Sequence, residues 1–302
     1  MNWWKNLKGS IKEQEPLKKH TSFRIGGPAR FFVEPKDHAD LRTLVVSLRE
    51  QAIPFSIIGG GSNLLVSDKG VDRVVVSLRA PAFRKLSFSN EAIDAGAGRW
   101  LGEVVMAARK RGLSGLEFLS GIPGTLGGSL VMNAGVTRQA LFAKSAVTNI
   151  GDLVENVTVM SYNGDLKILA KEAITFEYRK SSLSKYIVLS ASLALSKKTD
   201  SEISRLMRHY IERRRRSQDA AAYSAGCVFK NPPGYSAGEL IDSCGLKGTR
   251  IGNAFVSRKH ANFLLNGKNA KASDILALMA LIKSEVKKKY KITLQPEIKV
   301  WR

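Results

Sequence analysis

The stretch Ile58-Gly59-Gly60-Gly61-Ser62-Asn63-Leu64 decides the fold, because its three consecutive glycines are flanked by β-prone residues on both sides. Phe55-Ser56-Ile57-Ile58 runs into the glycines, and Leu64-Leu65-Val66 follows them. A Rossmann-type dinucleotide site needs a helix directly after its glycines, since the pyrophosphate sits at the N-terminus of that helix. The order strand, glycine turn, strand therefore argues against a Rossmann site.

Two glycine-rich segments are candidate ligand cradles. In the first, Ser62 and Asn63 add side-chain donors to the backbone N–H groups that a glycine turn presents to an anion. The alternative is an ordinary β-turn. The second runs from Gly121 to Gly128 and continues to Asn133-Ala134-Gly135. Its glycines are too numerous for a standard helix throughout, and they would let the backbone lie against a flat ligand. The alternative there is a packed loop with a short segment at Val131-Met132.

Hydrophobic periodicity predicts the remaining elements. Helices are expected over residues 40–51, 101–110, 200–216 and 273–290, the last capped by Ser273-Asp274. Strands are expected over residues 31–35, 55–58, 64–66, 74–78, 93–98, 153–160 and 186–195, with a turn at Asn163-Gly164-Asp165. Residues 1–20 are polar and predict a helix or a loose arm. A change in composition near residue 198 indicates a domain boundary.

Length and composition indicate a globular chain. Its 302 residues allow two or three domains, and a hydrophobic fraction of 44% is sufficient for a sizeable core. No apolar run reaches the length of a membrane span, and Met1 to Asn6 lacks the apolar core of a secretory signal. Cys227 and Cys244 are the only cysteines, too few for a disulfide framework. We therefore expect a cytoplasmic protein without membrane insertion.

The net charge of +22, from 48 basic and 26 acidic residues, would attract polyanions. The basic residues are scattered, apart from Glu212-Arg213-Arg214-Arg215-Arg216 and Lys287-Lys288-Lys289. Scattered charge is typical of a solvated surface, and the alternative is steering of polyphosphate small molecules by the same field. Zinc-finger spacing, an aromatic RNA-binding signature and a recognisable helix-turn-helix are all missing from the sequence. We therefore expect no nucleic-acid partner.

A thiol and a late carboxylate are the candidate chemical groups. Cys227 lies between Gly226 and the polar pair Lys230-Asn231, which indicates a proton-handling group presented to a polar ligand. The alternative for Cys227 is a small buried apolar residue, which is also our interpretation of Cys244. Glu297 ends the stretch Leu294-Gln295-Pro296-Glu297 near the C-terminus. Two candidate cradles, a thiol and a carboxylate together suggest a cofactor enzyme.

Ordered motifs run from about Pro16 to the end of the chain. They are Thr21-Ser22-Phe23-Arg24-Ile25-Gly26-Gly27, the Gly59 turn with Ser62-Asn63, Gly121-Ile122-Pro123-Gly124 through Asn133-Ala134-Gly135, Tyr178-Arg179-Lys180-Ser181, Ser224-Ala225-Gly226-Cys227-Val228-Phe229-Lys230-Asn231-Pro232, Gly245-Leu246-Lys247-Gly248, His260-Ala261-Asn262-Phe263, and Leu294-Gln295-Pro296-Glu297. In this order they resemble the UDP-N-acetylenolpyruvoylglucosamine reductase (MurB) family.

The resemblance implies an α+β fold with three domains. A two-part FAD-binding region of the vanillyl-alcohol-oxidase (PCMH) type would occupy residues 1–80 and 81–198, and a smaller α/β substrate-binding domain would occupy residues 199–302. It implies bound FAD and NADPH as the hydride source. The reaction would reduce the enolpyruvyl ether of UDP-N-acetylglucosamine to UDP-N-acetylmuramate in peptidoglycan precursor synthesis. Hydride would reach C3 of the enolpyruvyl group, with negative charge developing towards C2 and the carboxylate.

The resemblance also implies catalytic roles. Arg179 would stabilise the developing charge, because a guanidinium can grip a carboxylate bidentately. Cys227 stands where the family places its proton donor, and Glu297 would assist at the enol carboxylate. Many members carry serine at the position of Cys227, and a thiol, with a lower reference pKa than an alcohol, remains a suitable acid. Without the motifs, Arg179 would be a salt-bridge partner and Glu297 a surface carboxylate.

Ligand contacts carry over in the same way. The implied flavin contacts are Arg24, Gly59, Gly60, Gly61, Ser62, Asn63, Leu64, Gly121, Ile122, Pro123, Gly124, Gly127, Gly128, Asn133, Ala134 and Gly135. The implied substrate contacts are Tyr178, Lys230, Asn231, His260 and Asn262, with structural packing as the alternative for the last two. No metal is expected. The interval from Arg179 to Cys227 is too short for a tyrosine-bearing insertion found in some members, so the chain resembles the subgroup without that loop.

Two other functions remain open from the sequence. One is a different flavin oxidoreductase on the same scaffold, which would leave the Cys227 and Glu297 motifs without a role. The other is a basic, non-catalytic module that binds nucleic acid or anionic surfaces. We expect a monomer, and no residue identifies a preference for NADPH over NADH.

Overall fold

The computed structural model describes residues 3–136, 149–219 and 222–302. Its helices are α1 His38–Glu50, α2 Leu101–Lys110, α3 Leu126–Val131, α4 Asp200–Ser217, α5 Ala237–Ser243 and α6 Ala272–Tyr290. Its strands are β1 Ser10–Pro16, β2 Pro28–Glu34, β3 Phe55–Ile58, β4 Leu64–Val66, β5 Val71–Ser77, β6 Leu86–Ser89, β7 Ala92–Gly96, β8 Leu113–Ser114, β9 Val154–Met160, β10 Leu166–Ala170, β11 Phe176–Glu177, β12 Lys180–Ser181, β13 Ile187–Ala194, β14 Ser196–Lys197, β15 Arg250–Ile251, β16 Ala254–Val256, β17 Leu264–Asn266 and β18 Lys299–Trp301.

The chain forms two compact units, each built from separate stretches of sequence. Unit 1 comprises Met1–Lys12, Phe31–Gly60 and Arg73–Arg213, and unit 2 comprises Glu13–Arg30, Gly61–Asp72 and Arg214–Arg302. The division into three domains that the family resemblance implies stays a prediction. None of the helices in the described parts of the chain is both long and apolar enough to cross a membrane.

The centre of unit 1 is an antiparallel five-stranded sheet in the order β10-β9-β13-β7-β6. Alternation along β13 sends residues to two different cores. Val188, Ala191 and Leu193 join a core that includes apolar residues of α2 and α3. Ile187 and Leu189 join a second core that includes apolar residues of α1. The central strand is therefore buried on both faces, which explains its nearly continuous apolar sequence.

Helix α1 packs against the second core because its apolar residues recur at helical spacing and lie on one face. Leu41, Leu44, Val45 and Leu48 are all fully buried. The carboxylate of Asp37 accepts the Asp40 N–H at 2.9 Å and caps the helix, and this hydrogen bond lowers the pKa of Asp37. The helix predicted over residues 40–51 is therefore confirmed.

One prediction for this part of the chain is wrong. Residues 1–20 were expected to be a helix or a loose arm, but Ser10–Pro16 is a strand in the sheet ordered β1-β2-β5-β3. The strand is mostly polar because it lies at the edge of the sheet and is largely exposed, so its pairing with β2 determines its structure and no apolar alternation is needed. The glycine-rich segment contains only the six-residue helix α3, in keeping with the expectation that no standard helix runs throughout it. Residues 1–2 lie outside the described residues.

Unit 2 buries its apolar residues around α6. Ile275, Leu278 and Ile282 pack in a core shared with residues of α5, β16 and β17. Helix α6 begins at Ala272, and the carboxylate of Asp68 accepts the N–H groups of Ala272 and Ser273 at 2.6 and 3.0 Å. The cap predicted at Ser273-Asp274 is confirmed in part, because the Asp274 carboxylate accepts the Lys271 N–H at 3.0 Å, while Asp68, remote in sequence, accepts the first N–H groups of the helix.

Candidate functional site

In unit 1, the two glycine-rich segments lie against each other. A Cβ on Gly59 would lie 2.6 Å from Thr125 Oγ1, and a Cβ on Gly60 would lie 2.7 Å from Gly124 Cα and 2.9 Å from the Trp100 ring. Real Cβ atoms do not approach other atoms so closely. The absence of side chains therefore lets two backbone turns approach each other, which supports the cradles predicted from the sequence.

The conformation of the second turn depends on two glycines with positive φ and on hydrogen bonds at its end. Gly121 and Gly124 have φ of +76° and +131°, conformations that suit glycine. Thr125 caps α3 by accepting the Gly128 N–H, and the Leu101 N–H donates to the Gly124 carbonyl at 2.9 Å. Gly121 and Gly128 are exposed, so parts of this turn can contact a ligand.

A buried hydroxyl next to this turn lacks a partner. Ser120 is 3% exposed, and its Oγ makes no hydrogen bond to the described residues. Glu117 Oε1, one turn earlier, is in the same state within the described ranges. An unpaired buried polar atom costs about 1–3 kcal/mol, so a polar ligand group or a water molecule suits this position. Two glycine-rich turns and a nearby hydroxyl without a partner among the described residues fit a flat ligand with a polar rim, such as a flavin.

Arg179 lies at the tip of a small hairpin. Strands β11 and β12 pair Glu177 with Lys180, which leaves Tyr178 and Arg179 as a two-residue turn. Arg179 has φ of +58°, unusual for a residue with a side chain. Its guanidinium lies 5.0 Å from the centroid of the half-exposed Tyr178 ring, and its Nη2 donates to the Gly135 carbonyl at 3.4 Å. The structure thus brings this predicted catalytic residue to the predicted cofactor segment Asn133–Gly135.

The Arg179 hairpin is attached at both of its strands. Ser181 Oγ lies 2.9 and 3.0 Å from the last carbonyls of α3, those of Leu130 and Val131. The Asn133 amide donates to the Glu177 carbonyl at 3.0 Å and accepts from the Gly151 N–H at 3.1 Å. Asn133 therefore supports the hairpin with its side chain, and the Ile150 N–H donates to the Ala134 carbonyl beside it.

In unit 2, a chain of hydrogen bonds connects the predicted thiol, carboxylate and phosphate-turn residues. The Glu297 N–H donates to the Val228 carbonyl at 2.7 Å. Asn63 Nδ2 donates to the Glu297 carbonyl at 3.3 Å, and the Asn63 carbonyl accepts the Lys299 N–H at 2.9 Å. Cys227, which precedes Val228, is thus adjacent to Glu297 through the backbone, although the two are far apart in sequence.

The turn that carries Ser62 is tied to the thiol segment by Ser22. Gly61 has φ of +64°, and a Cβ on it would lie 2.0 Å from the His20 carbonyl oxygen. The Ser22 N–H donates to the Gly61 carbonyl, and Ser22 Oγ donates to the Ser224 carbonyl at 2.6 Å. The half-exposed Ser62 lies on the same turn, and Leu64 is buried in β4.

Open space lies beside the thiol. Gly226 has φ of +74°, and apart from its two chain neighbours no heavy atom of the described residues lies within 4 Å of the place where its Cβ would be. Cys227 itself is partly exposed. The described chain therefore leaves room at the residue that precedes the thiol. Cys244, in contrast, packs against the core of unit 2, and burial raises the pKa of its thiol.

Asn262 clamps the segment that carries Cys227. Its Oδ1 accepts the Phe229 N–H at 2.9 Å, its Nδ2 donates to the Phe229 carbonyl at 2.8 Å, and its carbonyl accepts the Val228 N–H. The side chain is 2% exposed. Asn262 is therefore placed as a structural residue, which holds the segment that carries Cys227 through hydrogen bonds. These hydrogen bonds were not predicted from the sequence, which indicated Asn262 only as part of a family motif.

His260 supports this clamp. Its Nδ1 accepts the Asn262 N–H at 3.3 Å, and its ring lies 4.6 Å from the Phe263 ring, measured between centroids. Burial lowers the pKa of His260, and the nearby Lys247 lowers it further. The neutral imidazole is the form that can accept this hydrogen bond.

The remaining predicted contacts are placed as follows. Asn231 Oδ1 accepts the Ala237 N–H at the start of α5, and the Lys230 N–H donates to the Gln295 carbonyl. Arg24 is exposed, with its guanidinium 5.8 Å from the centroid of the Tyr223 ring. Ile122 and Pro123 lie in the turn of the second cradle, Ile122 partly packed against the first core of unit 1. Their contacts with substrate or flavin stay predictions.

Comparison with known proteins identifies two family models within the chain. The model for an FAD binding domain matches residues 29–170, and the model for the C-terminal domain of UDP-N-acetylenolpyruvoylglucosamine reductase matches residues 218–301. A UDP-N-acetylenolpyruvoylglucosamine reductase of Caldanaerobacter subterraneus subsp. tengcongensis is 42% identical over 97% of this chain and 94% of its own length. One from Clostridioides difficile is 41% identical over the same shares of both chains.

Solved structures agree with these matches. The crystal structure of UDP-N-acetylenolpyruvylglucosamine reductase (MurB) from Thermus caldophilus superposes with a TM-score of 0.82 and 36% identity. It covers 98% of this chain and 100% of that one. A solvent-stable cholesterol oxidase, 14% identical, has a TM-score of 0.50 over 64% of this chain and 39% of its own, a likeness of fold alone. The predicted α+β fold with an FAD-binding region is confirmed.

Proposed function

The chain belongs to the UDP-N-acetylenolpyruvoylglucosamine reductase family, and we propose that it reduces the enolpyruvyl ether of UDP-N-acetylglucosamine to UDP-N-acetylmuramate with FAD as cofactor. NADPH is the reductant in this proposal. We further place the enzyme in the cytoplasm as a monomer that serves peptidoglycan precursor synthesis. FAD, when bound, would supply hydride transfer from NADPH to C3 of the enolpyruvyl group.

The cofactor is assigned to the two glycine-rich turns. Gly59, Gly60, Gly61, Ser62, Asn63 and Leu64 hold the pyrophosphate through backbone N–H groups and the Ser62 side chain. Gly121–Gly128 and Asn133–Gly135 would hold the flavin, because the backbone there carries few side chains. The close approach of Gly60 to Gly124 and the unpaired hydroxyl of Ser120 support this assignment.

Three residues carry the chemistry on the substrate. Arg179 binds the enol carboxylate and offsets the negative charge that develops as hydride arrives at C3. The Cys227 thiol donates its proton to C2, and the resulting thiolate recovers a proton from solvent. Glu297 assists at the same carboxylate. Tyr178, Lys230 and Asn231 contact the rest of the substrate, and His260 and Asn262 hold the wall behind the thiol.

The backbone pairing of the segments that carry Cys227 and Glu297 is the observation that supports the proposal most directly. The Glu297 N–H donates to the Val228 carbonyl at 2.7 Å, so Glu297 and the residue after Cys227 are neighbours along the main chain. The space at the Cβ position of Gly226 and the partial exposure of Cys227 also support the proposal. A thiol used only for packing would need no such space.

The test separates the two half-reactions. In anaerobic stopped-flow experiments on Cys227→Ala, NADPH should still reduce the flavin at the wild-type rate, while reoxidation by substrate should slow by about 10²–10⁴-fold. Cys227→Ser should retain reoxidation because it keeps a proton donor at the same place. Cys244→Ala, the matched cysteine variant, should leave both steps unchanged. Reoxidation of Cys227→Ala at the wild-type rate would contradict the role of the thiol.

A further inference from the structure

The hydroxyl of Ser257 organises the turn that joins β16 to β17, residues 257–263 of unit 2. Ser257 is fully buried. Its Oγ accepts the N–H groups of Lys259 and His260 at 3.0 and 2.9 Å, and it donates to the carboxylate of Asp219. A hydroxyl has one donor position and two acceptor positions, so these bonds use all of them. The conformation of the turn therefore depends on this one side chain.

The end of the same turn holds the segment that carries the thiol. His260 Nδ1 accepts the Asn262 N–H at 3.3 Å, and the His260 carbonyl accepts the Phe263 N–H at 2.8 Å. Asn262 bonds to the two residues after Cys227, and Phe263 forms an antiparallel bridge with Cys227 itself. The Ser257 N–H donates to the Phe263 carbonyl at 2.9 Å and closes the turn. A connected series of hydrogen bonds thus leads from the Ser257 hydroxyl to the backbone of Cys227.

Asp219 ties this turn to the segment that follows helix α4. Its carboxylate takes the proton of the Ser257 hydroxyl, which leaves the oxygen lone pairs for the two N–H groups of the turn. A hydrogen bond to a carboxylate is about twice as strong as one between neutral groups. Lys259 Nζ also donates to the Arg215 carbonyl near the end of α4, so the turn is joined to this segment at a second place.

We infer that Asp219 and Ser257 are positioning residues for proton transfer from Cys227. The carboxylate orients the hydroxyl, the hydroxyl holds the turn, and the turn holds the thiol segment. The inference rests on the proposed function, and it adds two residues that none of the sequence motifs contains. Both act through the backbone of the thiol segment, without contact to substrate or flavin. Because a displacement of about 1 Å at a reacting group can cost about 10²-fold in rate, loss of either side chain should slow the proton-transfer step.

The test measures reoxidation of the reduced flavin by substrate, in anaerobic stopped-flow experiments on the holoenzyme. Ser257→Ala and Asp219→Ala should each lower the limiting rate of reoxidation by about 10- to 100-fold, with little change in the substrate concentration at half-saturation. Flavin reduction by NADPH should keep its wild-type rate. Asp219→Asn should retain most of the reoxidation rate, because its amide oxygen can still accept the hydrogen bond from Ser257.

Ser192→Ala is the matched control. Ser192 is also buried, and its hydroxyl donates to the Glu155 carboxylate at 2.8 Å in the five-stranded sheet of unit 1. This variant removes a hydrogen bond of the same chemistry, and both half-reactions should stay at the wild-type rate. Urea unfolding at equal flavin saturation checks that each variant is folded. Asp219→Ala, at a partly exposed position, decides the question if Ser257→Ala does not fold.

A double-mutant cycle distinguishes positioning of the thiol from general structural damage. In the Cys227→Ala background no thiol remains to be positioned, so neither Ser257→Ala nor Asp219→Ala should slow reoxidation further by more than about twofold. A full additional loss in this background, wild-type reoxidation in the single variants, or an equal loss in Ser192→Ala would overturn the inference. Failure of the proposed function is distinguishable, because Cys227→Ala alone would then be reoxidised at the wild-type rate.

Discussion

Asn262→Ala is the variant that tests how the thiol is positioned. The change removes both side-chain hydrogen bonds to Phe229, at 2.9 and 2.8 Å, and leaves the Phe229 N–H and carbonyl without those partners. Phe229 is 1% exposed, so water cannot readily replace them. Each unpaired buried group costs about 1–3 kcal/mol, and we therefore expect the free energy of unfolding to fall by about 2–5 kcal/mol. The measurement is urea unfolding followed by circular dichroism, at equal flavin saturation.

The same variant should also slow catalysis at one step. Because Cys227 is only two residues from Phe229, relaxation of the strand displaces the thiol, and a shift of about 1 Å can cost about 10²-fold in rate. We expect slower reoxidation of the reduced flavin by substrate, with flavin reduction by NADPH unchanged.

Asn266→Ala is the matched control for this experiment. Asn266 also uses its amide twice in unit 2, donating to the Phe23 carbonyl at 2.9 Å and accepting the Ala270 N–H at 3.0 Å. It should destabilise the protein while leaving reoxidation near the wild-type rate. The reasoning fails if both variants slow reoxidation equally, or if Asn262→Ala unfolds within about 0.5 kcal/mol of the wild type.

Two further variants test the glycines and the buried histidine. Gly60→Ala places a Cβ 2.7 Å from Gly124 Cα, so the two turns must separate, and FAD affinity measured by ultrafiltration should fall roughly 5- to 150-fold. Gly226→Ala is the control, because apart from its chain neighbours no heavy atom of the described chain lies near its Cβ position. It should lose only about 1 kcal/mol of stability, from its positive φ, and keep its FAD affinity. Burial lowers the pKa of His260 in the folded protein. Below pH about 6.5 the histidine is therefore protonated in the unfolded chain while it is still neutral in the folded chain. The free energy of unfolding should consequently decrease as the pH is lowered from about 6.5 to the pKa of the folded state. Above this range both states are neutral and the histidine has no effect. His260→Gln should show a shallower fall between pH 7 and pH 5.5 in urea unfolding, and equal slopes in the two proteins would refute this account.

Local features of the chain were predictable because short stretches determine them. The β3–glycine turn–β4 order follows from apolar residues on either side of Gly59–Gly61, and α2 follows from apolar residues at helical spacing that end at Gly112. The two glycine-rich segments could be recognised in the sequence, but the residues through which they contact each other could not be predicted. The Cys227 and Glu297 segments could be assigned a common site only through the family resemblance.

The features that were missed depend on contacts between residues far apart in sequence. Asp68 accepts the first N–H groups of α6, those of residues 204 and 205 positions further along the chain. Ser181 accounts for the attachment of the Arg179 hairpin to α3, and a lone serine has no periodic signal. Strand β1 is mostly polar and is fixed by pairing, so its composition predicted a different structure. Such hydrogen bonds can be assigned only once the chain path is known.

In the proposed mechanism, the backbone bonds around Cys227 explain how a cysteine can serve at the position where the family resemblance implies a serine in many members. Val228 is held by Asn262 through its N–H and by Glu297 through its carbonyl, and neither bond involves the side chain of residue 227. The position of the β-carbon is therefore set by the strand, and apart from its chain neighbours no heavy atom of the described residues lies within 4 Å of a Cβ placed on Gly226. Exchange of sulfur for oxygen changes the acidity and length of the donor while its direction is kept. In the proposed mechanism, the main chain would therefore fix the geometry of proton transfer, and the acid at position 227 could be either a thiol or a hydroxyl.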